Sequence, residues 1–358
     1  MVEGASYSVS EKKSEEILFN IQHRNPENYV AISGDRPTGP LHLGHYFGVL
    51  RNRIMLQELN VKLFILIADY QFYTDRKLVD INAIGYNIVE ILLDYLSIGI
   101  NPNEKVVIFN HSAIPELNQL IMPFLSLVSV PELMRNPTVK EESKFLKEIS
   151  GAMLTYPVHQ AADILFCKAN VVPVGKDQLA HLELCRKIVR KFNNYYGKTF
   201  SYPHGLLSET PLILGMDGVN KMSKSKNNAI YIKSTEDETY QLIMSAKTDS
   251  LKNIAYDPHN RPEIANLLTI CALCSSTTPE DIACIVGSKG SGYLKKITVE
   301  AINSFFLPIR KKRIQLQKHM EYVLNVLKNG NLQAREVAIR TLEEVSNKMG
   351  LRKVYEKP

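Results

Sequence analysis

Tyr29-Val-Ala-Ile-Ser-Gly-Asp-Arg-Pro-Thr-Gly-Pro-Leu-His-Leu-Gly-His45 reads as a buried strand, a sharp turn and the start of a helix. The run Tyr29 to Gly34 is apolar enough for a strand covered on both faces. Pro37 and Pro40 cannot sit inside a regular element, and Gly34 and Gly39 permit unusual backbone angles. From Leu41 to Leu59, apolar residues recur at roughly helical spacing (Leu43, Tyr46, Phe47, Leu50, Ile54). The turn therefore places His42 and His45 on the first turn of a helix. Unpaired N–H groups and the positive end of the dipole suit an anion there. Imidazole adds hydrogen bonds to phosphate oxygens as charge develops. The plainer alternative is two histidines on an exposed helix start.

Working outward, the alternation continues. Val61 to Ala68 is a second apolar strand, Asp80 to Ser97 has a helical pattern, and Lys105 to Phe109 is a third strand. Near-continuous apolar strands alternating with helices argue for a parallel sheet covered on both faces. Ligands of such sheets sit beyond the carboxyl ends of the strands, where the Gly34 turn and Asp69-Tyr-Gln71 lie. Residues 114–168 interrupt the alternation with longer helical patterns, including Asn136-Pro-Thr-Val-Lys140. Ala169 to Val174 is another strand, Gly175-Lys-Asp-Gln178 turns into a helix, and Ala229 to Ile232 reads as a brief strand. From residue 235 the pattern is almost wholly helical: Glu236–Ala246, Glu263–Leu273, Pro279–Val286, Thr298–Leu327, which Pro308 should kink or break, and Leu332–Met349. Residues 1–28 read as a polar surface extension with one short helix.

Composition sets bounds. The 358 residues are 45% hydrophobic and 22% charged, which suits a globular protein of two domains, or of one large domain with an appendage. A net charge of +6 permits nucleic-acid binding without establishing it. Basic residues cluster at Lys295-Lys296 and Arg310-Lys-Lys-Arg313, a pattern that serves a solvated face as readily as a phosphate backbone. Five cysteines, an odd number without a secreted framework, point to a reducing compartment and a cytoplasmic location. Cys271 and Cys274 form one CxxC with no second half to complete a zinc site, so no metal site is expected. No apolar run is long enough to span a membrane, and no signal peptide is expected.

Two further stretches carry chemistry. Lys221-Met222-Ser223-Lys224-Ser225 packs two cations and two hydroxyls into five residues after a loop containing Gly215 and Gly218. In Leu154-Thr-Tyr-Pro-Val-His-Gln-Ala-Ala-Asp-Ile164, helical spacing puts Tyr156, Gln160 and Asp163 on one face. A buried carboxylate needs partners. A substrate N–H or O–H would satisfy Asp163, and so would a cap or salt bridge within a core helix.

The pair His42-Leu-Gly-His45 and Lys221-Met-Ser-Lys-Ser225 resembles the HIGH and KMSKS signatures of class I aminoacyl-tRNA synthetases. Ile32 to Gly48, Asn136 to Lys140, Tyr156 to Asp163, Val172-Pro-Val-Gly-Lys-Asp-Gln178 and Lys221 to Asn228 resemble tryptophanyl-tRNA synthetases of the bacterial type. The likeness runs over roughly residues 29–250. It implies an α/β fold, with a Rossmann-like parallel-sheet catalytic domain (29–234) after the extension 1–28. An all-helical anticodon-binding domain (235–358) would follow. The insertion 114–168 would supply a homodimer interface. It also implies activation of L-tryptophan by ATP with Mg2+, then transfer to tRNA(Trp).

The resemblance assigns His42, His45, Lys221 and Lys224 to catalysis. ATP would meet Arg36, Gly44, His45, Gly175, Lys176, Asp177, Leu212, Lys221, Met222, Ser223, Lys224 and Ser225. Tryptophan would meet Ser33, Gly34, Gln71, Tyr156, Gln160, Asp163 and Gln178, with Asp163 accepting from the indole N–H. Three alternatives stand beside it: a tyrosyl-tRNA synthetase, which shares Tyr156, Gln160 and Asp163; a nucleotidyltransferase, which has no use for Lys221 to Ser225; and a non-catalytic tRNA-binding relative.

Overall fold

The computed structural model describes residues 2–74, 81–144, 148–175, 179–207 and 212–351. Five strands form one parallel sheet: β1 (Val30–Asp35), β2 (Lys62–Ile67), β3 (Val106–Asn110), β4 (Val171–Val174) and β5 (His204–Leu207), in the order β3-β2-β1-β4-β5. The strands grow outward from β1 in one direction, then resume on its other side at β4. Ligand crevices of open parallel sheets form where the order reverses in this way. Gly34 pairs with Leu66, Asp35 with Ile67, and Ile67 with Asn110, so the carboxyl ends of β1, β2 and β3 finish level.

Period-two alternation feeds two apolar layers. Leu63, Ile65 and Ile67 of β2 join one core, and Phe64 and Leu66 join the other.

The helices are α1 (Val2–His23), α2 (Leu43–His45), α3 (Arg51–Glu58), α4 (Ile81–Ser97), α5 (Pro115–Gln119), α6 (Ile121–Leu125), α7 (Val130–Met134), α8 (Pro137–Ser143), α9 (Gly151–Leu165) and α10 (Leu179–Tyr196). Five more follow: α11 (Glu236–Met244), α12 (Pro262–Ser275), α13 (Pro279–Val286), α14 (Gly290–Gln317) and α15 (Met320–Lys348). Among the described residues, no helix is long and apolar enough to cross a membrane.

Several expectations need correction. The N-terminal stretch, expected as a polar surface extension with one short helix, carries a 22-residue helix packed on the sheet. α1 buries Ile17 and Ile21, one helical turn apart, and the β5 amide of Leu207 donates to Ser14 Oγ at 2.9 Å. The helix thereby covers a sheet edge that would otherwise present unpaired backbone groups.

The helix from Leu41 is not uniform. Between α2 and α3 it widens into a π-helical turn, Tyr46–Leu50. There the adjacent rings of Tyr46 and Phe47 both pack on Phe305 of α14, at 5.1 and 5.4 Å. Ala229–Ile232 is not a strand; Tyr231 makes an isolated bridge to His42. Pro308 does not break its helix, which runs through it from Gly290 to Gln317, held by buried Ile302, Phe306 and Ile309. The chain turns at Lys318 and His319 instead.

α15 closes the other sheet edge. Gly330 lies so close to β3 that a Cβ there would fall 1.9 Å from the Ile108 carbonyl oxygen. Asn331 Oδ1 accepts from the Asn110 amide, and Asn331 Nδ2 donates to Asn110 Oδ1.

Candidate active site

The two signature loops are fastened to each other. The Leu43 amide donates to the Ile230 carbonyl at 2.8 Å, and the Ile232 amide donates to that of Leu41 at 2.9 Å. Lys224 Nζ donates to the Gly39 carbonyl and to Thr38 Oγ1. Met222 is buried and packs toward Gly44, where a Cβ would lie 3.5 Å from its own Cβ and 3.1 Å from the His42 ring. The Met222 side chain is thus core, and its amide donates to the Ile213 carbonyl at 3.3 Å.

His42 and His45 form a reciprocal cap. The His45 amide donates to His42 Nδ1 at 3.3 Å, and the His42 amide donates to His45 Nδ1 at 3.2 Å. Each Nδ1 is therefore an acceptor, and each ring, when neutral, carries its proton on Nε2. Burial lowers His42 to about 2 and His45 to about 4, with Lys224 adding to both shifts. The rings are neutral N–H donors at physiological pH, 3.6 Å apart between centroids. Burial also lowers Lys224 to about 8. Lys221 is exposed beside it, and Ser223 is half-buried.

The shape of the lysine loop comes from Asp217, to which the sequence reading gave no role, and from Asn228 and Gly215, which it named only within longer stretches. The Ser223 amide donates to Asn228 Oδ1 at 2.8 Å, and Asn228 Nδ2 donates to Asp217 Oδ2 at 3.1 Å. Asp217 also accepts from the amides of Val219 and Asn220, and it is lowered to about 2: hydrogen bonds from Asn220, Val219 and Asn228 outweigh partial burial, the largest single influence, which acts upward. Gly215 leaves room for Asn228, whose Nδ2 would stand 2.0 Å from an added Cβ.

Under the first loop, fully buried Arg53 of α3 donates through Nε to Ser33 Oγ at 2.9 Å and through Nη1 to Asp35 at 2.7 Å. Tyr95 donates to the same Asp35 oxygen at 2.6 Å. Burial alone would raise Asp35, but Arg53, His45 and Tyr95 hold it down at about 2. The Ser33 hydroxyl is thus engaged as an acceptor behind the strand. Gly34 is set by packing as well, since a Cβ would lie 2.8 Å from the Leu66 carbonyl oxygen. Arg36 is exposed just past β1.

A second cluster forms where β2 and β3 end. α9 carries Tyr156, Gln160 and Asp163 in helical register, with Tyr156 and Asp163 buried. Tyr156 meets the ring of His181 at 5.4 Å. Asp163 Oδ1 lies 2.8 Å from His111 Nε2 and 3.8 Å from His159 Nε2. Asp163 Oδ2 is buried and has no hydrogen-bond partner among the described residues.

Gln71 is half-buried in the 3-10 turn Asp69–Thr74. Gly175 follows β4, and Leu212 is 63% exposed. Lys176, Asp177 and Gln178 lie outside the described residues. The ligand atoms of His111, His159 and Asp163 fall within 4.8 Å of one another, so this trio could hold a metal ion, although the His111–Asp163 separation is that of a hydrogen bond. His111 was missed by the sequence reading. Its signal was position, two residues past the strand read as Lys105 to Phe109, at the sheet end where ligands sit.

The family described as tRNA synthetases class I (W and Y) matches residues 24–307. A tryptophan–tRNA ligase from Clostridium longisporum is 41% identical over 335 residues, covering 90% of this chain and 97% of that protein. Tryptophanyl-tRNA synthetase from Campylobacter jejuni, solved with ADP and tryptophan, superposes with a TM-score of 0.77 at 31% identity, covering 89% of this chain and 99% of that one. The enzyme from Mycoplasma pneumoniae also gives 0.77, at 27% identity, covering 90% and 98%.

Proposed function

The chain belongs to the class I tRNA synthetases (W and Y), and from that membership we propose that it charges tRNA(Trp) with L-tryptophan in two steps. A carboxylate oxygen of tryptophan attacks the α-phosphorus of ATP. The bond to the β-phosphate breaks, pyrophosphate leaves, and tryptophanyl-adenylate remains. A terminal ribose hydroxyl of the tRNA then attacks the acyl carbon and AMP departs. No protein nucleophile is required, so catalysis consists of positioning and of stabilising phosphate charge.

The observation that carries the reading is the fastening of the lysine loop onto the histidine turn. It gathers two neutral Nε2–H donors and the Lys224 ammonium at the carboxyl end of β1. In this reading His42 and His45 donate to phosphate oxygens, while Lys221 and Lys224 follow the charge onto pyrophosphate. Arg36, Gly44 and the Met222–Ser225 backbone border the nucleotide. Leu212 offers its backbone to adenine, and Gly175, Lys176 and Asp177 hold the ribose, the last two assigned on the sequence motif. Magnesium arrives with ATP as part of the substrate and neutralises the β- and γ-phosphates. Ser33, Gly34, Gln71, Tyr156 and Gln160 surround the amino acid, Gln178 joins them on the sequence motif alone, and Asp163 Oδ2 accepts from the indole N–H.

The helical region beyond residue 235 receives tRNA, and a cytoplasmic site of action accompanies that substrate. Homodimerisation through the 114–168 insertion is supported by Met122, Val130 and Met134, large apolar side chains left exposed there. A charging assay separates the tryptophan reading from the tyrosine one. Labelled tryptophan should pass to a tRNA(Trp) transcript and labelled tyrosine to neither tRNA(Trp) nor tRNA(Tyr). Transfer of tyrosine would reverse the pocket assignment.

A further inference from the structure

The chemistry of adenylation makes no use of His111, yet the side chain is enclosed and hydrogen-bonded to Asp163. It is fully buried just past β3. Its ring stacks on His159 at 4.6 Å and on Tyr70 at 5.9 Å. Its Nε2 lies 2.8 Å from Asp163 Oδ1, and its Nδ1 faces Asp69 Oδ1 at 3.8 Å. Asp69 is itself fixed by Asn110 Nδ2, at 2.8 Å, and by the Ser112 hydroxyl.

A carboxylate only accepts, so the 2.8 Å contact is a bond donated by His111 Nε2–H. That bond engages Oδ1 and leaves Oδ2 as the buried oxygen without a partner among the described residues. The terminal torsion of an aspartate is otherwise broad and roughly two-fold. One fixed oxygen fixes the direction of the other.

We propose that His111 is a positioning residue: its Nε2–H locks the Asp163 carboxylate so that Oδ2 points at the substrate's ring N–H, and this sets the preference for indole over a ring of the same shape without that N–H. The proposal rests on the reading of Asp163 as the indole partner. Buried hydrogen-bonding sites reject analogues lacking the matching group far more strongly than apolar walls do, because the site's own polar atom is left unpaired.

The test is ATP–pyrophosphate exchange with L-tryptophan and with 3-benzothienyl-L-alanine, which carries sulfur in place of the indole N–H. His111→Leu should lower kcat/KM for tryptophan by about 10–100-fold, mainly through KM, while the analogue changes by less than about threefold. The KM for ATP should not move. His111→Gln, which retains an N–H donor, should recover most of the lost preference. Equal losses for both amino acids, or an unchanged preference, would overturn the proposal.

Asp163→Ala, which leaves no side-chain oxygen to accept, separates the two layers in the same assay. If the preference survives Asp163→Ala, the indole reading itself fails. If it collapses there but survives His111→Leu, only the positioning role fails. Should His111→Leu not fold, 15N NMR of the unaltered enzyme decides. The His111 resonances, assigned by their loss in His111→Gln, should show a proton on Nε2 whose shift moves with tryptophan and not with the analogue. An unprotonated Nε2 would contradict the proposal.

Discussion

Lys224 is a cation held where little water reaches it. Burial lowers it to about 8, so it is charged below that pH and loses its proton above it. The proposed role requires the charged form. In the free enzyme, kcat/KM for ATP should therefore fall as pH rises through about 8, and Lys224→Met should abolish that limb. The same variant should lower the exchange rate by about 10²–10³, the cost of one charge-stabilising donor. A flat profile from pH 7 to 9.5, or near-normal exchange in the variant, would remove Lys224 from the reaction. Lys224 was legible in the sequence because it stands inside a short motif, although its partners Gly39 and Thr38 lie 185 and 186 positions away. His111 and Asp163 are 52 positions apart and meet only when β3 and α9 pack together. Asn228 was quoted at the end of a motif, but its hold on Ser223 and Asp217 depends on a loop that turns back on itself.

At the scale of elements, long periodic segments were legible and short ones were not. β1, β2, β3 and β4 fell where apolar runs placed them, within a residue or two at each end. β5 spans only four residues including Gly205, too little pattern to distinguish from a loop. Pro308 misled because proline removes a single N–H, and the buried side chains around it outweigh that loss. The crossing of α15 over β3 depends on one atom's worth of space at Gly330. Gly330→Ala forces the two backbones apart and should destabilise the protein by about 3 kcal/mol, the upper range for overpacking. The urea midpoint measures it, and an unchanged midpoint would contradict so close an approach.

Across the whole molecule, the helical region reaches the nucleotide turn through buried charge. Arg313 of α14, read from the sequence as part of a surface cluster, points inward and is 4% exposed. It pairs with Asp94 Oδ1 at 2.5 Å and with Glu90 at 3.0 Å. Asp94 Oδ2 accepts from the Leu41 amide, one residue before His42, and Glu90 also holds Lys233 beyond the lysine loop. Removing one partner of a buried pair leaves the others uncompensated. Arg313→Met should destabilise the protein by about 3–5 kcal/mol. At temperatures where it remains folded, it should raise the KM for ATP more than that for tryptophan. Normal stability and an unchanged KM for ATP would mean that the two regions are not coupled through this chain.

The central claim is that this cluster of imidazoles and lysines, with the Asp163 pocket beside it, activates tryptophan. ATP–pyrophosphate exchange with tryptophan or tyrosine as the sole amino acid measures that step directly. The account predicts exchange with tryptophan and none above background with tyrosine. Exchange with tyrosine alone, or with neither amino acid in folded protein, would contradict it.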